Sequence, residues 1–162
     1  MGTIPEGDGT FPYALAGRAR IALQGRKIEN AASLAAQAAR LMPDSPYLRA
    51  VEGISLIAAN RFQDAIAPLE LAARAGAITA AFHLGNVQRQ LGDPIAAARA
   101  YRRTLALDPD HREAHANLIS VLLRARQYGD ALGTADALLA KQPWHVPALA
   151  QKCIAYQETG ND

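Results

Sequence analysis

The sequence lacks the features on which disulfide-bonded, secreted and membrane proteins depend. Its 162 residues include one cysteine, Cys153, which excludes an internal disulfide framework and any metal site built from several thiolates. It has no uninterrupted apolar run of the roughly 18 residues that a transmembrane helix requires. The first ten residues lack the basic and apolar segments of a secretory signal, so a cytoplasmic location is expected.

The sequence also has no large excess of positive or negative charge. The chain has 17 basic and 15 acidic residues, a formal charge of +2, and no dense basic stripe, so nucleic acid is not an expected partner. Aromatic residues make up only 6% of the chain, whereas alanine dominates the 50% that is hydrophobic. Because alanine has the highest helix propensity, the composition predicts an all-α fold. The arginine-rich and alanine-rich composition also indicates a bacterial source.

What the sequence does contain is a repeat with a period of 34 residues. It joins Pro109 to Pro143, Ala97 to Ala131, Leu84 to Leu118 and Pro12 to Pro46. A period of this length is typical of an array in which each helical unit buries its apolar face against its neighbours.

The block from Ile78 to His111 shows the plan of one unit. Its first half carries apolar residues at helical spacing, and Gly92, Asp93 and Pro94 then interrupt the pattern. Glycine ends a helix, aspartate caps the next one and proline suits a first turn, so the block is predicted to be a pair of antiparallel helices.

The same plan divides the whole chain. We predict a flexible tail at residues 1–11, four repeats at residues 12–45, 46–77, 78–111 and 112–145, and a lone helix at residues 146–160. The second repeat is short and ends in Ala75, Gly76 and Ala77 instead of a proline, so its last turn should be tighter. The lone helix leaves Leu149, Ile154 and Tyr156 without a partner helix, which is consistent with a piece of a longer protein.

These blocks resemble the tetratricopeptide repeat (TPR) family. Within one block the matching residues are Leu84, Gly85, Gly92, Ala97, Tyr101, Leu105 and Pro109, and the register recurs from Pro12 to Asp162. The resemblance implies an α-solenoid, a right-handed superhelix whose first helices line a concave groove that binds a peptide or a helix of another protein. The chain departs from the family where an aromatic residue is usual early in the first helix: Leu15, Arg49, Ala81 and His115 occupy those places.

Register along the first helices predicts which side chains face that groove. In the N-terminal half they are Tyr13, Arg20, Tyr47 and Ile54, with Ala16 and Ala50 between them, and in the C-terminal half they are Phe82, His83, Asn86, Arg89, Gln90, Asn117, Ser120 and Arg124. Tyr13 and Tyr47 could bind partner side chains, and Arg89 and Arg124 could bind acidic segments. Asn86 and Asn117 could pair with a peptide backbone, although they could equally be solvated.

The two asparagines also have the 31-residue spacing found in the TPR carboxylate clamp, which binds the C-terminal carboxylate of chaperones. The basic residues of that clamp are absent here, because Phe82, Pro147 and Gln151 stand in their positions. Binding of chaperone tails is therefore not expected.

No arrangement of residues predicts catalysis, a metal or a cofactor. His111 and His115 are four residues apart, but neither a carboxylate nor a thiolate completes a metal site, so solvated histidines are expected. Cys153 is expected to be a buried, unreactive thiol.

The leading interpretation is therefore a protein-interaction module that is not itself an enzyme. An alternative is that the chain is the N-terminal docking or targeting arm of a larger, multidomain bacterial enzyme. A third possibility is a homodimer formed through the exposed C-terminal helix.

Overall fold

The computed structural model describes residues 10–160, and within that range it contains nine α-helices and no strand. The helices are α1 (Phe11–Gln24), α2 (Ile28–Leu41), α3 (Pro46–Ala58), α4 (Phe62–Arg74), α5 (Ile78–Gln90), α6 (Pro94–Leu107), α7 (Arg112–Arg124), α8 (Tyr128–Lys141) and α9 (Val146–Thr159). The predicted tail lies outside the described residues except for Thr10 and Phe11, and α1 already begins at Phe11.

Short turns join the two helices of each hairpin. Each turn has three residues, and its middle residue adopts a left-handed conformation: φ is 54° at Arg26, 57° at Asn60, 83° at Gly92 and 57° at Arg126. The N–H of the third residue donates back to the first helix, as Lys27 does to Ala22 O at 2.8 Å. These bonds satisfy carbonyl groups that the end of a helix leaves free.

Four-residue loops join most of the successive hairpins, and side chains cap the helices that follow. Ser45 Oγ accepts from the Leu48 N–H at 3.4 Å at the start of α3. His111 Nδ1 and His145 Nδ1, which are one period apart, accept from Ala114 N–H at 3.3 Å and Ala148 N–H at 3.1 Å. Within a hairpin, Asp93 Oδ1 accepts from the Ala96 N–H at 2.9 Å, which confirms its predicted role as a cap.

The connection between α4 and α5 differs from the other loops between hairpins. It has three residues, Ala75, Gly76 and Ala77, with φ of 90° at Gly76 and a bond from Ala77 N–H to Ala72 O at 3.1 Å. This is the geometry of the turns inside the hairpins. The connection is one residue shorter than the other loops between hairpins, and α4 is one residue shorter than α2, α6 and α8, which together explain the shorter second repeat.

The helices form two compact units that divide inside α5, between Val87 and Gln88. In the N-terminal unit, α1 contacts α2 and α3, and α3 contacts α4. Alanines and leucines bury the faces between them; one such cluster contains Leu15, Ala16, Ala19, Leu34, Ala35, Ala38, Leu48 and Val51. The small side chains allow the helices to approach closely.

In the C-terminal unit, α7 contacts α6, α8 and α9, and α8 also contacts α9. Its largest fully buried side chains are Tyr101, Ile119, Leu122, Leu138 and Val121. Cys153, expected to be buried, is instead exposed. The reason is that α7 and α8 pack against the side of α9 that carries Ala148 and Ala155, both fully buried, which leaves Cys153 on the open side.

Two polar residues replace the usual aromatic residue by bonding to the preceding loop. Arg49 Nε donates to Pro43 O at 2.9 Å, and His115 Nε2 lies 3.0 Å from Pro109 O. The expectation of a solvated His115 was wrong, since only 8% of this residue is exposed. In both helices the side chain bonds to the carbonyl group of the residue six positions earlier. A polar contact to the loop thus takes the place of the packing that an aromatic ring would provide.

Candidate functional site

A groove of about 630 Å³ lies across three first helices of the N-terminal unit. We call it the N-terminal groove. Its lining comes from the end of α1, from α3 and from the start of α5: Arg20, Leu23, Gln24, Tyr47, Ala50, Val51, Ile54, Ala77, Ile78 and Thr79. The surface is mostly apolar and large enough for several side chains of a ligand.

Helical spacing places these residues on one face of each helix. The four residues from α3 stand at positions i, i+3, i+4 and i+7 from Tyr47, and those from α1 stand at i, i+3 and i+4 from Arg20. The structure thus brings together Arg20, Tyr47 and Ile54, which the register predicted to face a groove. It adds Leu23, Gln24 and the start of α5, which sequence analysis missed.

Two tyrosines extend the groove along α1 and α3. The ring centroids of Tyr13 and Tyr47 are 6.1 Å apart with an interplanar angle of 30°, and both residues remain more than 40% exposed. They occupy equivalent positions one period apart, so the contact between α1 and α3 sets their rings side by side. This tilted pair of tyrosine rings offers an apolar surface with two polar hydroxyls to a ligand.

Charge in the N-terminal groove comes from Arg20 alone among its lining residues. Three other arginines of this unit form ion pairs: Arg49 with Glu52 at 2.9 Å, Arg61 with Asp64 at 2.7 Å and Arg74 with Glu70 at 3.6 Å. Arg20 takes part in none of the ion pairs formed within residues 10–160.

Phe82, His83 and Asn86 also belong to the N-terminal unit, on α5. All three are half-buried, and the rings of Phe82 and His83 are 5.9 Å apart. Burial lowers the pKa of His83 below its ordinary value, because the charged imidazolium loses solvation. None of the three lines the N-terminal groove.

In the C-terminal unit, two of the predicted groove residues have a structural partner. The side chains of Arg89 and Asn117 donate hydrogen bonds to the hydroxyl of the fully buried Tyr101. Burial raises the pKa of Tyr101, and these two donors partly oppose the increase. In the sequence Tyr101 stood out as a match to the TPR pattern, but the need of a buried tyrosine hydroxyl for a partner could have pointed to Asn117.

The other predicted residues of this unit are at the surface. Gln90 and Arg124 are exposed, and Arg124 lines a cavity of about 400 Å³ together with Ser120, Gln151 and Ile154. This cavity lies among α7, the start of α8 and α9. On α9, Leu149, Ile154 and Tyr156 are 38%, 47% and 39% exposed, and a homodimer through this surface stays a prediction.

Within residues 10–160, no three His, Cys, Asp or Glu side chains lie close enough together to hold a metal ion. No helix in that range is long and apolar enough to cross a membrane. His111, which could have been a metal ligand, instead caps α7.

Residues 82–143 match the tetratricopeptide repeat family. These residues therefore carry tetratricopeptide repeats. TPR domains are generally scaffolds for protein–protein interaction and are generally not catalytic. A search among curated proteins gave no match.

Solved TPR structures share the fold over almost the whole chain. The protein YrrB, described as a TPR protein with an unusual peptide-binding site, is 21% identical with a TM-score of 0.79, covering 91% of this chain and 77% of its own. The protein MamA is 17% identical with a TM-score of 0.84, covering 95% and 85%. A tetratricopeptide repeat protein from Parabacteroides merdae is 20% identical with a TM-score of 0.81, covering 94% and 62%. At these identities the likeness establishes an all-α solenoid fold and nothing about ligands.

Proposed function

We propose that this chain is a protein-interaction module that holds a segment of a partner protein in the N-terminal groove. The observation that carries the proposal is the continuous apolar surface which α1, α3 and the start of α5 form around Ile54, with two exposed tyrosines at its edge. The groove exists before any ligand binds, so the module loses little conformational entropy on binding.

The predicted residues Phe82, His83, Asn86, Arg89, Gln90, Asn117 and Arg124 are secondary candidates for contacts with the same kind of ligand. Arg89 and Asn117 have the weaker case, because both donate to Tyr101. Substituting Asn117 removes a hydrogen bond from a buried hydroxyl and so changes stability as well as any binding. Variants of the N-terminal groove give a cleaner test.

The test selects ligands from a random peptide library displayed on phage, using the full chain as bait. Ile54→Asn places a polar amide in the apolar groove and should weaken the selected peptides at least tenfold, a loss of about 1.4 kcal/mol or more. The measurement is fluorescence anisotropy of the labelled peptides.

The matched control is Ile21→Asn, the same substitution on α1 at a residue that is 68% exposed and does not line the groove. It should leave affinity unchanged. Equal affinity of the wild type and Ile54→Asn, with both helical by circular dichroism, would overturn the proposal.

A further inference from the structure

We infer that the segment held in the N-terminal groove is acidic as well as apolar. It would be a stretch of a partner protein in which an aspartate or glutamate carboxylate adjoins bulky aliphatic side chains. This inference rests on the function proposed above and adds the chemistry of the ligand.

The charge of the groove supports an acidic ligand. Arg20 is the only charged residue among those that line it, and it takes part in none of the ion pairs within residues 10–160. A guanidinium can bind a carboxylate through two parallel hydrogen bonds. A ligand that covers the groove excludes water from this contact, which strengthens the attraction between the two charges.

The apolar residues of the groove indicate which side chains of the ligand should lie beside its carboxylate. Leu23 lies one helical turn after Arg20 on α1, and Ile54 and Ile78 complete the apolar part of the lining. Because the positive charge and the apolar surface are neighbours, the complementary ligand has its negative charge and its aliphatic side chains close together.

An amphipathic anion of another kind, such as a fatty acid, has the same charge and an apolar chain. The neutral polar groups of the groove favour a polypeptide over it. Gln24, Tyr47 and Thr79 present an amide and two hydroxyls along the lining. These groups can donate to peptide C=O groups and accept from peptide N–H groups, which an alkyl chain lacks.

The test uses the full chain and three labelled peptides with blocked termini that share alternating leucines. The intervening residues are aspartate in the first, asparagine in the second and lysine in the third. We expect the aspartate peptide to bind best, and Arg20→Gln to weaken it about fivefold, in the range of a single partly exposed ion pair. Arg20→Gln should leave the affinity of the asparagine peptide almost unchanged.

The matched control is Arg18→Gln, which removes the same charge from α1 at an exposed position outside the lining. It should not affect the preference for aspartate. Equal affinities of the three peptides for the wild type, all abolished by Ile54→Asn, would overturn this inference and leave the proposed function standing. Absence of saturable binding by all three peptides would overturn this inference, whereas the proposed function fails only if peptides selected from the random library bind Ile54→Asn as tightly as the wild type. Displacement of the aspartate peptide from the groove by dodecanoate at lower concentrations than by unlabelled peptide would assign the groove to a lipid and also overturn it.

Discussion

Small residues determine how closely the two helices of a hairpin approach each other. Gly53 on α3 is the clearest instance, because a Cβ atom built on it would lie 2.5 Å from Cγ and 2.6 Å from Cδ2 of Leu69 on α4. The side chain of Leu69 fills the space that the missing side chain of Gly53 leaves.

Gly53→Ala should therefore lower the free energy of unfolding by about 1–3 kcal/mol, since either Leu69 or the helix must move. The matched control is Gly17→Ala on α1, where no atom lies within 4 Å of the added Cβ. There the better helix propensity of alanine should raise stability by about 0.5–1 kcal/mol. Urea denaturation followed by circular dichroism measures both. A neutral or stabilising Gly53→Ala would show that the two helices are not in close contact.

The role of an individual residue can be predicted from the sequence where its neighbours along the chain determine that role. The cap at Asp93 follows from the order of glycine, aspartate and proline alone. The burial of His115 and the exposure of Cys153 could not be predicted in this way. They depend on which loop carbonyl lies within reach and on which side of α9 its neighbours cover.

At the scale of elements, one turn geometry recurs through the chain. The four turns inside the hairpins and the α4–α5 connection all place their middle residue at positive φ. The missing proline indicated that the second repeat ends differently. It did not indicate that the connection would copy the turn inside a hairpin, because that depends on the backbone conformation of Gly76.

Because both Gly76 and Arg26 have positive φ, substituting them should change stability in opposite directions. Gly76→Ala should destabilise by about 1–2 kcal/mol through backbone strain alone, since no atom lies near the added Cβ. Arg26→Gly should stabilise by about 0.5–1 kcal/mol by removing strain at a residue with φ of 54°. Thermal unfolding of both variants checks the signs, and a stabilising Gly76→Ala would contradict the left-handed assignment.

The elements themselves could be predicted from the sequence because a repeat shows each boundary several times. Pro46, Pro94 and the 34-residue period mark helix starts that the structure places at the same residues or within a few of them. What the period could not supply is the contribution of the start of α5 to the N-terminal groove. That contribution depends on how the shortened connection positions Ile78.

At the scale of the whole molecule, we propose that the first helices of the N-terminal unit bind the ligand. The register predicted Arg20, Tyr47 and Ile54 as members of this surface, and the structure places all three on one groove. The predicted surface of the C-terminal unit is a weaker candidate for ligand binding, because the side chains of Arg89 and Asn117 already donate hydrogen bonds to the hydroxyl of Tyr101.

The most direct measurement is a map of backbone amide chemical-shift changes in the full chain on titration with a peptide selected for binding. We predict that the largest changes fall on residues 20–24, 47–54 and 77–79, the three segments that line the N-terminal groove. Changes concentrated instead on the second helices α2 and α4, or confined to α7–α9, would contradict the account.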